Sequence, residues 1–207
     1  MTTWQEQVMG LATGIDPLRL ARGVPPEDFQ GRESAVLIAL AEGDDGLEVL
    51  LIERAHDGSP HSGQPALPGG AVEEQDADLV ATALREAHEE TGLEPAAVTV
   101  LAVLPRLHLA FSGYAVTPVV AHWHAPSPVW ARDPAEVADV LRVPLRELVH
   151  PGNRVMVRHP GGGRGPAFRV RGLVVWGFTA ALLSGLFEAL GWDEPWDTDT
   201  VIGLADA

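Results

Sequence analysis

Two segments, SAVLIALAE over 34–42 and LEVLLIER over 47–54, carry strand-length apolar runs rich in branched side chains and read as strands. The turn-forming GDDG at 43–46 lies between them, so the pair predicts a hairpin. VTVLAVLP (98–105) and YAVTPVVAHW (114–123) predict further strands, and RVMVRH (154–159) with AFRVRG (167–172) predicts a hairpin around a glycine-rich turn. Helical spacing is found at about 3–13, from about Asp76 to Thr91 with a stop at Gly92, in one or two short helices over 134–149, and around 177–191. AHDGSPHSGQPALPGG (55–70) reads as a loop, and a Pro/Gly-containing connection follows the first helix to about Arg32. No internal repeat or low-complexity run interrupts the chain. Strands and helices interleave without strict βαβ order, which predicts an α/β fold with a mixed sheet and helices on both faces.

Composition narrows the class. The 207 residues fit one large domain, and 46% hydrophobic residues suffice for a substantial core. There is no cysteine, which excludes disulfides, thiolate metal sites and thiol nucleophiles and is compatible with the cytoplasm. The start, MTTWQEQVMG, lacks the basic residues and apolar run of a secretory signal. Uncharged GLVVWGFTAALLSGLF (172–187) is shorter than the roughly 20 residues that span a bilayer, and reads as a buried core helix or the face of a homodimer. Trp176 and Phe178 within it read as core. The net charge of −15, from 14 basic and 29 acidic side chains, repels nucleic acid and anionic membrane, so neither is expected as a partner. It also repels phosphorylated substrates, so phosphate chemistry here would require metal ions or a local basic patch.

ALREAHEETGL (83–93) is the most informative segment. Glu86, Glu89 and Glu90 lie at i, i+3 and i+4, within about 100° of one helix face. Leu79, Val80, Ala83, Leu84 and Ala87 form the adjacent apolar face, so the carboxylates sit at the margin of the core. The arrangement is locally unfavourable. Glu89 and Glu90 oppose the helix dipole by about 0.3–1 kcal/mol each, and Glu86 repels Glu90 by about 0.2–0.5 kcal/mol. A hard divalent cation reverses the sign of these terms. Arg85 can hold Glu89 at i+4. The plainer reading of a bare E-x-x-E-E is a solvated acidic face. The histidines His56, His61, His88, His108 and His124 are scattered without zinc-like spacing.

With its flanks, GGAVEEQDADLVATALREAHEETGL (69–93) resembles the Nudix box: a glycine, five residues, a glutamate, seven residues, then Arg-Glu-aliphatic-x-Glu-Glu-x-Gly-aliphatic. The second half is intact as Arg85, Glu86, Ala87, Glu89, Glu90, Gly92 and Leu93. The first half departs, since the glutamate slot falls on Ala77 and the glycine slot on Ala71. Gly70 and Asp76 each come one residue early. Asp76 either substitutes for that glutamate or caps the helix. LLIERAHDGSPHSGQPALPGG (50–70) is similar to the upstream signature of the coenzyme A pyrophosphatase branch. Leu50, Leu51, Arg54, Gly63, Pro68, Gly69 and Gly70 match, whereas Ile52, Ala55, Ser59 and Leu67 stand where that branch has Thr, Ser, Arg and Phe. SGYAVTPVV (112–120), EVADVLRVPLREL (136–148) and VVWGFTAALL (174–183) look like the same branch, so the resemblance covers roughly 33–195.

The resemblance implies a Nudix-type α/β/α sandwich over 33–195, after an N-terminal helix and connection (1–32) and before a tail (196–207). It implies Mg²⁺ or Mn²⁺ as cofactor and a small nucleotide as substrate: coenzyme A or a derivative, cut at its diphosphate to 3′,5′-ADP and 4′-phosphopantetheine. Glu86 and Glu90 would bind metal, Glu89 would be a ligand or the general base, and Arg85 would orient the carboxylates. Gly69 and Gly70 allow close backbone approach. Arg54, Arg169 and Arg171 are candidates for phosphate. Residues 150–172 carry five arginines and no acid, either a solvated hairpin or a site for the 3′-phosphate of coenzyme A, with the adenine expected near the 105–114 loop. Ser59, where arginine would bind phosphate bidentately, keeps ADP-ribose, dinucleotides and NDP-sugars open as alternatives. A non-catalytic nucleotide-sensing module is a third reading, opposed by the intact glutamates.

Overall fold

A computed structural model describes residues 2–12, 14–20, 25–26, 28–58, 61–109, 113–160 and 162–206. In chain order the elements are α1 (Trp4–Leu11), α2 (Pro17–Leu20), β1 (Arg32–Gly43), β2 (Gly46–Arg54), β3 (Pro65–Ala66), β4 (Gly69–Ala71), α3 (Leu79–Thr91), β5 (Val98–Val103), β6 (Leu107–Leu109), β7 (Tyr114–Trp123), β8 (Val137–Pro144), α4 (Leu145–Val149), β9 (Arg154–Arg158), β10 (Arg164–Val170), β11 (Leu173–Val175), α5 (Gly177–Leu190) and β12 (Val201–Gly203). The main sheet runs β3-β2-β1-β7-β5, with β4 added to β1, β6 to β7 and β8 to β2. It is mixed: β1 runs parallel to β7 and antiparallel to β2. A second sheet is ordered β11-β10-β9-β12.

The side-chain period of two in β1 builds the layers. Ala35, Leu37, Ala39 and Ala41 turn to one face, where they meet Ala83, Ala87 and Leu93 of the α3 region. Ile38 and Leu40 turn to the other, against Leu182, Leu183, Leu186 and Phe187 of α5. All of these side chains are buried, and fully burying one leucine contributes about 1.5–3 kcal/mol. Alanines under α3 let that helix lie close to the sheet. The expected α/β/α sandwich with a mixed sheet is therefore the fold. The uncharged 172–187 run supplies the inner face of α5 as core, and among the described residues no helix is long and apolar enough to cross a membrane.

Several elements differ from the sequence reading. The 55–70 loop contains β3 and β4, two short strands set by pairing with β2 and β1. Residues 137–144, read as helix, form β8, which pairs with β2 from Glu48 to Arg54. Only α4 is helical there. Helix α3 starts at Leu79, because Asp78 rather than Asp76 is its N-cap, accepting from the Ala81 N–H at 2.8 Å. Its stop is as expected: Gly92 adopts the left-handed conformation at φ 72°.

Candidate functional site

Helix α3 aims its charged residues in two directions. Glu90, only 5% exposed, points at β4 and accepts the Gly69 N–H at 2.9 Å. The Glu86 carboxylate rests against Gly70, where an added Cβ would come within 2.4 Å of its Oε1. A Cβ on Gly69 would come within 2.3 Å of the Ala35 carbonyl oxygen. Gly69 is thus required by its close approach to the β1 backbone, and a side chain at Gly70 would displace the Glu86 carboxylate.

Burial pushes the Glu90 carboxyl up to about 8, and Glu86 and Glu136 add to the rise, while the Gly69 N–H and Arg54 oppose it. Glu86 is also raised by burial, against the pull of Arg85. Two stressed acids therefore face a glycine strand.

Arg85 gathers the opposite side. It donates from Nε and Nη2 to Asp76 at 2.9 and 3.0 Å, from Nη1 to Glu89 at 2.8 Å and from Nη2 to the Ala71 carbonyl at 3.0 Å. Its Nη2 lies 3.1 Å from Glu86. Asp76 also accepts from the Glu73 N–H and the Thr82 hydroxyl, both at 2.9 Å. These bonds, Arg85 first, hold its carboxyl well below the usual range. Capping is therefore not the role of Asp76; it fixes Arg85. Glu89 is exposed and turned to Arg85, and its charge adds to the rise of Glu86. Among the described residues no three acidic or imidazole groups converge into a ready ion site.

The segment between β7 and β8 completes the site and was not singled out from the sequence. The Trp130 N–H donates to the Thr91 carbonyl and the Arg132 N–H to the Glu90 carbonyl, at 3.0 and 3.1 Å, so this segment closes the C-terminal end of α3. Arg132 also reaches the His88 carbonyl at 3.2 Å, a cation where the helix dipole favours one. Glu136 follows, with its carbonyl accepting the Ala55 N–H at 2.8 Å, and its charge bears on both Glu86 and Glu90. The one available signal was its place at the head of EVADVLRVPLREL. Arg54, at the end of β2, supplies positive charge near Glu90.

The arginine-bearing hairpin is not one patch. Arg154 is buried, donates to Ser184 at 2.5 Å and stacks on Phe168 and Trp196. Arg169 is exposed on β10. Arg171 lies past the strand end at φ 53° and pairs with Glu147 at 3.2 Å. Arg169 and Arg171 therefore do not share a strand face, because alternation ends at Val170. Of the upstream departures, Ile52, Ala55 and Leu67 are buried, so they answer to packing. Ser59, and residues 110–112 of the loop expected near adenine, lie outside the described residues.

The donor set fits a hard cation. Glu86 and Glu90 offer carboxylate oxygens, with the charges of Glu86 and Glu136 bearing on Glu90, and Mg²⁺ characteristically completes its shell with waters and substrate phosphates. A neighbouring positive ion removes the electrostatic penalty that burial places on both acids.

Comparison with known proteins follows the same line. The family model described as NUDIX domain matches residues 31–159. Nudix hydrolase NudL of Enterobacter sp. (strain 638) is 39% identical over 174 residues, 77% of this chain and 83% of the relative. NudL of Escherichia coli O1:K1 / APEC is 38% identical over 173 residues, 80% and 86% of the two chains. In fold, the chain is similar to the Nudix hydrolase RenU from M. smegmatis, with a TM-score of 0.53 at 23% identity over 86% of this chain and 99% of that one. It is also similar to a MutT/nudix family protein from Enterococcus faecalis, with a TM-score of 0.51 at 19% identity over 92% and 75%.

Proposed function

The chain belongs to the Nudix hydrolase family, and on that premise we propose that it is a divalent-metal-dependent pyrophosphohydrolase acting on coenzyme A or a derivative. The observation that carries the reading is the carboxylate pair at the glycine strand, Glu86 against Gly70 and buried Glu90 on the Gly69 N–H. Glu86 and Glu90 would hold Mg²⁺ or Mn²⁺, which would supply charge neutralisation at the diphosphate and a more acidic water. Arg85, fixed by Asp76, keeps Glu86 and Glu89 in set directions. Glu89 accepts the proton of the attacking water. Gly69 and Gly70 let β4 lie close against β1 and against the Glu86 carboxylate, and Arg54 adds positive charge near Glu90. Water adds to one phosphorus, the bridging P–O bond breaks, and 3′,5′-ADP and 4′-phosphopantetheine leave.

Coenzyme A is favoured by the upstream matches, of which Arg54, Gly69 and Gly70 border the carboxylates. Arg169, exposed on β10, and Arg171, which pairs with Glu147, are the candidates for the 3′-phosphate. A second reading, hydrolysis of ADP-ribose, a dinucleotide or an NDP-sugar, is favoured by Ser59 in place of an arginine. A panel of coenzyme A, its 3′-dephospho form, ADP-ribose, NADH and a diadenosine polyphosphate, assayed with Mg²⁺ or Mn²⁺ and read by product mass, separates the readings. Coenzyme A should be cut best, and better than its dephospho form. Faster cleavage of ADP-ribose supports the second reading, and binding without any cleavage supports a sensing module.

A further inference from the structure

A hollow of about 410 Å³ opens beside the carboxylates, lined by Arg32, Glu33, Ala71 and Val72. Ala71 follows the glycine on which Glu86 rests, and its carbonyl is held by Arg85. Val72 is tied to β1 through the Glu33 carbonyl at 3.0 Å, yet its side chain is 40% exposed. The floor is therefore apolar and open, an arrangement that favours an apolar surface laid over it. The walls are charged and planar. The Arg32 guanidinium donates to the Tyr114 hydroxyl at 3.3 Å and forms no ion pair among the described residues. The Glu33 carboxylate is held by Arg106 at 2.7 Å and keeps further acceptor capacity.

We propose that this hollow receives the nucleobase of the substrate, an amino-bearing purine, with the Arg32 guanidinium stacked on its face, Val72 beneath it and the Glu33 carboxylate accepting from its exocyclic amine. A planar delocalised cation stacks on flat rings, which a lysine would not do. A phosphate is disfavoured at this place because the Glu33 carboxylate lines it together with Arg32. From Gly70 to Val72 the chain advances about 7 Å, so the base would lie one short step from the diphosphate held at Glu86 and Glu90. The inference rests on the pyrophosphohydrolase reading and holds for coenzyme A and ADP-ribose alike, since both carry adenine.

The test is done first without metal or turnover. The full-length protein is titrated with AMP and with IMP, which carries a carbonyl in place of the amine, by calorimetry. AMP should bind more tightly than IMP. Arg32→Ala should weaken AMP roughly tenfold, the scale of one lost base–side-chain stack. Glu33→Ala should narrow the AMP-to-IMP gap, and Val72→Trp should fill the hollow and block both. All three side chains are exposed or partly exposed, and circular dichroism of each variant checks that it is folded. In turnover, the loss for Val72→Trp should fall on KM for ADP-ribose or coenzyme A rather than on kcat. Equal AMP binding by all four proteins, no AMP binding by the wild type, or no preference for AMP over IMP would each overturn the assignment. If the protein binds AMP as described but cleaves no diphosphate, the pocket stands and the pyrophosphohydrolase reading falls.

Discussion

Glu90 and Asp76 are opposite cases of a carboxylate built into one site. The carboxyl of Glu90 is raised by burial from 4.5 to about 8. The folded protein therefore holds a proton there that the unfolded chain releases, so without metal its contribution to stability is full below about pH 4.5 and is lost as pH rises towards 8. Urea unfolding in EDTA should show that decline, and Glu90→Gln should flatten it. An unchanged slope in the variant would mean Glu90 is not the stressed group. Added Mg²⁺ should stabilise the wild type increasingly as pH rises through the same window, because binding displaces that proton. Asp76 is depressed by Arg85, so its contribution is present at neutral pH and lost only in acid. Asp76→Asn should cost about 3 kcal/mol at pH 7, since it breaks a buried pair, and much less in acid. Equal loss at both pH values would contradict the pairing. The sequence identified Arg85, Glu86, Glu89 and Glu90, and their box spacing marked them off from a solvated acidic face. It could not separate Glu89 from the other two, because that depends on which way Arg85 reaches, and Arg85 is aimed by Asp76 and the Ala71 carbonyl.

At the scale of elements, α3 was legible because its signals are local: an apolar stripe, an N-terminal aspartate and a glycine stop. The choice between Asp76 and Asp78 as cap was not, since both are favoured residues two positions apart. Asp78→Ala should cost about 1 kcal/mol in urea unfolding at neutral pH. No loss would mean that Asp78 does not cap α3. Strand β8 was misread for a physical reason. Val137, Val140, Leu141, Leu145 and Leu148 fit the i, i+3, i+4 spacing of a helix as well as strand pairing, and the ladder with β2 decides in favour of the strand. The strands β3, β4, β6, β11 and β12 are two or three residues long, too short for any period to be read, and exist through their neighbours. Because β8 begins beside Ala55, Glu136 is delivered to the acids from a segment that no local pattern connects with them.

For the whole molecule, a charge of −15 sets the problem that the site must solve. A phosphorylated substrate approaches an acidic protein in which five arginines are committed to local acids: Arg85 to Asp76, Arg106 to Glu33, Arg142 to Glu48, Arg146 to Asp45 and Arg171 to Glu147. Cations brought with the substrate are then the natural counter-charge at the diphosphate, which is why Glu86 and Glu90 carry the account. The layered fold followed from sequence because the continuous apolar run of β1 supplies buried side chains to both faces at once. The arginine hairpin did not follow as a phosphate patch, since Arg154 turned inward and Arg171 left the strand. The most direct measurement is coenzyme A hydrolysis in Mg²⁺ by the wild type, Glu86→Gln and Glu90→Gln, with products read by mass and folding checked in parallel. The account predicts 3′,5′-ADP and 4′-phosphopantetheine from the wild type, none after chelation, and at least about a hundredfold loss in each folded variant, the scale set by losing a metal ligand. Undiminished turnover in either folded variant, or a wild type that cuts no diphosphate in the panel with either metal, would contradict it.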